Sequence, residues 1–219
     1  MPEYNLYHVI KGVKKMHEIV VDTEYGIRYI AGASGFSSLA NLSGRGLNKL
    51  ISSMDSLNDA DIIIVDTGAG ISDQVAYFWL SSDETIIVTT PEPTAVLDAF
   101  SVIKVIASED SKADIKILVN RVTKPSQAKV VSENIISAGK NYLNMNVKYL
   151  GFVFEDKTIP YSVSQQFPFY EYDNKCQASI SIHNIAKKIV DMEYSESKEA
   201  KGLSGFMETL SRFLIKNGN

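Results

Sequence analysis

The sequence predicts a three-layer α/β domain in which helices cover both faces of a mostly parallel sheet. Apolar runs that are typical of buried strands alternate along the chain with segments whose apolar residues recur at helical spacing. At 219 residues the chain is long enough to bury a substantial core. Hydrophobic residues make up 45% and charged residues 22% of it, which is ordinary for a globular protein.

The first predicted elements are short. Asn5 can cap a helix whose apolar positions fall at helical spacing, namely Leu6, Val9, Ile10 and Val13. A short strand bounded by glycines is predicted at residues 26–32, and the glycine-rich residues 32–35 are interpreted as a turn. Residues 48–57 are predicted to be helical, with one apolar face formed by Leu50, Ile51, Met54 and Leu57.

Four apolar runs predict the strands of the main sheet. They are Asp61–Asp66, Glu84–Thr90, Ile115–Asn120 and Val147–Val153. The first is a continuous aliphatic run, which suits a buried central strand. Helical patterns follow the later runs, at Thr94–Ser108, Gln127–Leu143 and Ser181–Met192.

The chain ends in a second kind of segment. Residues 1–192 are predicted to be the α/β domain, and the polar residues 193–201 a linker. The last segment, 202–216, is predicted to be an amphipathic helix with Lys201, Arg212 and Lys216 against a single Glu208. Its apolar face comprises Leu203, Phe206, Met207, Leu210, Phe213 and Leu214. This face suits the surface of an anionic membrane, and the alternative is a helix docked on its own domain or on a dimer mate.

Composition excludes several classes of protein. The net charge of −4 argues against a broad nucleic-acid-binding face. The one cysteine, Cys176, rules out an internal disulfide framework and suits a reducing cytoplasm. No secretion signal is visible, and no apolar run approaches the ~20 residues of a membrane-spanning helix. We therefore expect a soluble cytoplasmic protein whose membrane contact, if any, is peripheral.

Asp66 is the first candidate for chemistry. It ends an apolar run and precedes a segment, 67–72, that contains Gly68 and Gly70. Ligands of open α/β sheets bind at the carboxyl ends of strands, where a carboxylate can hold Mg²⁺ through water beside nucleotide phosphates. An ordinary strand end followed by a glycine turn is an equally good interpretation.

Residues 63–72 resemble the Walker B segment of the flagellar-number regulators (FlhG/FleN, YlxH-like) within the MinD/ParA class of P-loop ATPases. Residues 83–94 are similar to the next strand and helix start of that family, and residues 5–12 to its segment after the nucleotide-contacting loops. Residues 151–156 and 166–169 match a late strand and loop. General MinD relatives usually carry Ser-Pro-Ala-Gly at positions 67–70, so the flagellar branch is favoured.

The resemblance implies ATP and Mg²⁺ as cofactors, a homodimer formed across the nucleotide, and slow hydrolysis that releases a partner or the membrane. By position, Asp66 would organise Mg²⁺, and Gly68 and Gly70 would lie near the γ-phosphate. Asn120 and Arg121 would face the adenine. Glu155 and Asp156 would lie near the base, the ribose or the dimer seam. The implied partners are flagellar assembly proteins (an SRP-like flagellar GTPase or basal-body switch proteins) and anionic lipid at the inner face of the membrane.

One family feature does not occur in the sequence. No Gly-x-x-x-x-Gly-Lys-Ser/Thr loop is present, and the family places this loop and its strand before the segment that matches Pro2. We therefore expect an N-terminally truncated domain, either a fragment, which is the preferred interpretation, or a degenerate member. Without the loop we do not expect ATP hydrolysis. The predicted function is a MinD-like ATP-dependent switch for flagellar number or placement at the membrane. The alternative is a nucleotide-free module that binds flagellar assembly partners or lipid.

Overall fold

The computed structural model describes residues 2–32, 52–68, 73–110, 112–195 and 202–216. The chain forms two compact units, which we describe separately. The first unit comprises Met1–Ser82 and Lys201–Asn219, and the second comprises Asp83–Ala200. Among the described residues, no helix is both long enough and apolar enough to cross a bilayer.

The first unit begins with the predicted capped helix, α1 (Leu6–Ile10). The side chain of Asn5 accepts a hydrogen bond from the Tyr7 N–H at 3.1 Å, and His8 Nδ1 accepts one from the Asn5 N–H at 3.2 Å. This reciprocal capping box stabilises the start of the helix. The helix ends at Ile10, and Gly12 adopts a φ of 73°, so Val13 lies beyond the helix and is exposed. The predicted cap is confirmed, and the sequence analysis missed the role of His8.

The next elements of the first unit form a hairpin. A 3₁₀ turn at Met16–Glu18 leads into β1 (Val20–Asp22), which pairs antiparallel with β2 (Arg28–Ile30). The strand predicted at 26–32 is therefore confirmed in its middle, and its partner β1 was missed. Gly26 adopts a φ of 77° in the connecting turn, a backbone conformation that glycine accepts readily.

The strand predicted at Asp61–Asp66 is wrong. These residues pair with no other strand among the described residues, and Ile62 to Val65 are exposed, Ile64 by 86%. An aliphatic run becomes a buried strand only when a neighbouring strand satisfies its N–H and C=O groups, and the described part of the first unit supplies none. A 3₁₀ turn at Asp55–Leu57 precedes the run, and α2 (Asp73–Ser81) follows it. Of the helix predicted at 48–57, residues 52–54 are helical, while residues 48–51 lie outside the described part of the chain, as do most of the residues of the turn predicted at 32–35.

The second unit contains the parallel sheet that the sequence predicts. Its strands are β3 (Thr85–Thr89), β4 (Ile115–Val122) and β5 (Val147–Phe154), in the order β3-β4-β5. The connecting helices are α3 (Pro93–Glu109) and α4 (Pro125–Leu143). The two short helices α5 (Thr158–Ser164) and α6 (Phe169–Tyr172) lead into α7 (Gln177–Ser195). The predicted α/β class, these three strands and the three predicted helices are confirmed.

Two features of this sheet decide its packing. Gly151 of β5 lies under α7 so closely that a Cβ atom there would be 3.1 Å from Ile185 Cγ1. Lys116 of β4 is 1% exposed, and its ammonium lies 2.5 Å from Glu84 Oε1. A buried ammonium without such a partner would be costly, so this pair is part of what allows a lysine in the core.

The chain ends in α8 (Gly202–Lys216), which belongs to the first unit. The preceding helix α7 continues through Ser195, three residues into the predicted linker, and residues 196–201 lie outside the described part. The core of the first unit includes Val9, Ile10, Met16, Ile19, Leu57, Tyr77, Met207 and Leu210. The apolar face of α8 is thus part of a core rather than a free surface.

Candidate functional site

The carboxyl end of the sheet in the second unit gathers four of the predicted site residues. Asn120 and Arg121 lie near the end of β4, and Glu155 and Asp156 directly follow β5. In open α/β sheets this end is where ligands bind, because the loops that leave the strands form a crevice there.

Arg121 holds an unusual backbone conformation. Its φ is 57°, in the left-handed region that residues with a side chain rarely adopt, and the β4–β5 register shifts between Val119 and Val122. The Arg121 N–H donates to Asn120 Oδ1 at 2.8 Å, which supports the local bulge. The bulge turns both side chains out of the regular alternation of the strand.

The guanidinium of Arg121 links two strand ends. Its Nε donates to Glu155 Oε2 at 2.7 Å, and the two side chains are 59% and 45% exposed. Glu155 and, to a smaller extent, Glu92 raise the pKa of Arg121 above its usual value. Acidic residues after β3 and β5 therefore act on this one cation of β4.

Asp156 has a different environment from its neighbour. Oδ1 accepts the Thr158 N–H at 2.9 Å, and Oδ2 accepts the Ala178 N–H at 3.3 Å, at the first turns of α5 and α7. These hydrogen bonds, led by that from the Thr158 backbone, hold the pKa of Asp156 below its usual value. Both carboxylate oxygens are engaged within the chain, so the structure does not present Asp156 as a free ligand contact.

The remaining predicted nucleotide residues belong to the first unit. Asp66 and Gly68 are exposed in the extended segment after residue 60, and a Cβ atom on Gly68 would have no neighbour within 4 Å. Gly70 lies outside the described residues. No group of three or more potential metal-ligating His, Cys, Asp or Glu side chains occurs within the described ranges.

The face of α8 predicted to meet the membrane packs against α2. Met207 and Leu210 are 3% and 2% exposed. The Phe213 ring stacks on Tyr77 with 5.5 Å between centroids, and the Phe206 ring lies 6.3 Å from Phe78. Leu203 is also packed against this core, and the side chain of Leu214 lies outside the described part.

The sequence analysis missed two residues of the strand-end cluster. Glu92 acts on Arg121, and Thr158 donates its backbone N–H to Asp156. Glu92 carried a usable signal, because it follows β3 as Glu155 follows β5. Thr158 carried no such signal, because it contributes its backbone N–H, which does not depend on the type of side chain.

Comparison with known proteins finds relatives in one group. No family model matches the chain. It is 30% identical over 214 residues to the flagellum site-determining protein YlxH of Helicobacter pylori, a match that spans 96% of this chain and 72% of that protein. It is 26% identical over 189 residues to the antiactivator FleN of Pseudomonas aeruginosa, spanning 86% of this chain and 68% of that protein.

Solved structures show the same fold. The cell-division ATPase MinD of Pyrococcus furiosus matches with a TM-score of 0.68 at 20% identity, over 88% of this chain and 77% of that one. The septum site-determining protein MinD of Pyrococcus horikoshii, solved in complex with Mg-ADP, matches with a TM-score of 0.67 at 20% identity, over 90% and 77%.

Proposed function

The chain belongs to the MinD/ParA family, in its flagellar FlhG/FleN branch, and we propose that it is an ATP-dependent switch that regulates flagellar number or placement at the membrane. The observation that carries the switch is the docking of α8. Its apolar face packs on α2, the helix that begins directly after the Asp66 segment.

The residues at the sheet end fit the base of a nucleotide. Asn120 offers amide groups, and Arg121, held by Glu155, offers a planar cation that can stack on a ring. In the first unit, and as a separate proposal that implies nothing about how the two units are arranged, the exposed Asp66 and Gly68 are phosphate and Mg²⁺ contacts, as the family resemblance implies, with Gly70 as a further proposed contact. When bound, Mg²⁺ would neutralise phosphate charge. The proposal concerns nucleotide-controlled binding.

The docked α8 supplies the second half of the switch. Full burial of one Met or Leu side chain contributes about 1.5–3 kcal/mol, so Met207 and Leu210 alone hold α8 by about 3–6 kcal/mol. The same face cannot contact lipid while it packs on Tyr77 and Phe78. Membrane binding therefore requires that α8 leave α2, and a ligand can drive this only if it favours the released form.

Nucleotide binding at the Asp66 segment is the proposed trigger. That segment precedes α2 without an intervening element among the described residues, so a change in its path would shift the surface that holds Phe213 and Phe206. A homodimer would present two copies of α8, and avidity would compensate for the weak lipid affinity of one short helix. Arg212, which is exposed, and the terminal lysines would then meet anionic headgroups.

We place the protein in the cytoplasm, at the inner face of the membrane when α8 is released. The proposed partners are flagellar assembly proteins, consistent with the name of one relative, the flagellum site-determining protein YlxH. The competing function is a nucleotide-free module that uses the same surfaces for those partners or for lipid.

Flotation with vesicles of mixed zwitterionic and anionic lipid tests the proposal. The full chain is expected to float with the vesicles in Mg-ATP and to stay in the aqueous fraction without it. An Asp66→Ala variant is expected to lose the response to Mg-ATP. Flotation that is independent of nucleotide would favour the lipid-binding module, and no flotation in any condition would remove the membrane role.

A further inference from the structure

The carboxylate of Asp156 connects the end of β5 to the first turns of two helices, α5 and α7. Asp156 is the second residue after β5, its Oδ1 accepts the Thr158 N–H at the start of α5, and its Oδ2 accepts the Ala178 N–H in the first turn of α7. The Thr158 and Ala178 N–H groups, with the Thr158 and Cys176 side chains nearby, lower the pKa of Asp156 and favour its carboxylate. A single carboxylate thus joins the first turns of two helices beneath one loop.

Glu155, the residue before Asp156, contacts β4 instead of the two helices. The Glu155 N–H donates to the Val122 C=O at 2.9 Å, and its carboxylate accepts Arg121 Nε at 2.7 Å. Arg121 is held there in a left-handed backbone conformation, which persists only where surrounding contacts enforce it. The loop that carries Glu155 is one of those contacts, and Asp156 is the residue that fixes the loop.

We propose that Asp156 is a positioning residue: by holding the first turns of α5 and α7 together it keeps Glu155 against Arg121, and so presets the base-binding end of the sheet without touching the ligand. The identity of the ligand rests on the proposed function, while the positioning itself does not. This reverses the role that the family resemblance gives Asp156.

The test measures how fast the Nε–H of Arg121 exchanges with water in the absence of nucleotide. An Nε–H in a charge-assisted hydrogen bond exchanges slowly with water and is visible by ¹⁵N NMR, with Arg121→Lys for assignment. Asp156→Ala is expected to accelerate this exchange by about tenfold, as is Glu155→Ala, and Asp156→Asn by less because it keeps one acceptor oxygen. Asp173→Asn is the matched control, because Asp173 Oδ1 accepts only the nearby Lys175 N–H, at 2.9 Å, and should leave Arg121 unchanged.

The Mg-ATP affinity of the same variants separates the two proposals. Positioning predicts that affinity falls in step with the loss of Arg121 protection. A lower affinity with Arg121 exchange unchanged would make Asp156 a ligand contact and overturn the inference, and so would no change in either quantity. If the wild-type chain binds no Mg-ATP, the proposed nucleotide site fails and Arg121 exchange still decides the inference. Should Asp156→Ala unfold, Asp156→Asn decides it, because it removes one of the two acceptor oxygens and should still accelerate the exchange.

Discussion

The rings of Tyr77 and Phe213 lie stacked, with their centroids 5.5 Å apart and their planes 8° from parallel. Tyr77 belongs to α2 and Phe213 to α8, so this contact joins the helix after the Asp66 segment to the helix with the lipid-compatible face. The contact joins the proposed effector, α8, to the helix that follows the proposed trigger, within one packed core.

Tyr77→Ala should loosen α8 without altering its own sequence. Loss of a buried aromatic side chain costs about 3–5 kcal/mol, which is similar to the energy that holds α8 in place. We expect the variant to float with anionic vesicles in the absence of nucleotide. Tyr142→Ala, which truncates a tyrosine of α4 that is 80% exposed, is the control and should behave as wild type. If Tyr77→Ala without nucleotide stays folded and does not bind the vesicles, the docking model is contradicted.

Mg-ATP should stabilise the chain through Asp66. A ligand that binds only the folded state at a hundredfold excess over its Kd adds about 2.7 kcal/mol. We therefore expect millimolar Mg-ATP to raise the Tm of the wild type and not of Asp66→Ala, as measured by thermal unfolding. Asp61→Ala, at the other end of the same aliphatic run, is a suitable control and should keep the shift. An equal rise in Tm for the wild type, Asp66→Ala and Asp61→Ala would show that Asp66 does not contact the nucleotide.

Arg121 and Glu155 should matter for ligand affinity more than for stability. Exposed ion pairs contribute little to folding because solvent screens them. Arg121→Ala is expected to leave Tm almost unchanged and to weaken Mg-ATP binding by about tenfold in calorimetric titration. Lys129→Ala removes a comparably exposed cation, 3.9 Å from Glu133 on α4, and should change neither quantity. Equal effects of the two substitutions would remove Arg121 from the site.

Substitution of Lys116 should destabilise the fold more than substitution of the other charged residues of the sheet. Lys116→Ala leaves Glu84 without its partner and opens a cavity in β4, with an expected cost of about 3 kcal/mol or more in urea unfolding. Lys116→Met retains most of the volume and should cost less. Lys148→Met is the control, because Lys148 is 28% exposed although it also pairs with a carboxylate, Asp114. A larger loss of unfolding free energy for Lys148→Met than for Lys116→Met would show that burial of the lysine does not determine the cost of the substitution.

Asp156 should make the second unit sensitive to acid. Its pKa in the folded chain lies below the usual 3.8, because the Thr158 backbone N–H, first among several donors, favours the carboxylate. The stability it contributes is therefore fully present above about pH 4 and is lost as the pH falls through the lower folded value. Asp156→Asn should flatten the decline of Tm below about pH 4 relative to wild type, and an unchanged decline would show that the carboxylate is not held in this way.

The sequence was informative where local rules decide the structure. The cap at Asn5, the three strands of the second unit and the helices between them follow from spacing and residue type. Asp61–Asp66 failed because an aliphatic run shows that a segment can be buried and not whether a neighbouring strand pairs with it. At the candidate site, the family resemblance selected Asn120, Arg121, Glu155 and Asp156, which the structure brings to one sheet end. That Asp156 faces two backbone N–H groups while Glu155 faces Arg121 depends on tertiary contacts that residue type does not encode.

Hydrogen exchange of α8, followed by mass spectrometry with and without Mg-ATP, tests the switch most directly. The amides of residues 202–216 should be protected without nucleotide, because the helix packs in the core that contains Met207 and Leu210. The account predicts that Mg-ATP accelerates exchange in this helix in the wild type and has no such effect in Asp66→Ala. Exchange that is unchanged or slowed by bound Mg-ATP would show that nucleotide does not release α8, and would contradict the switch.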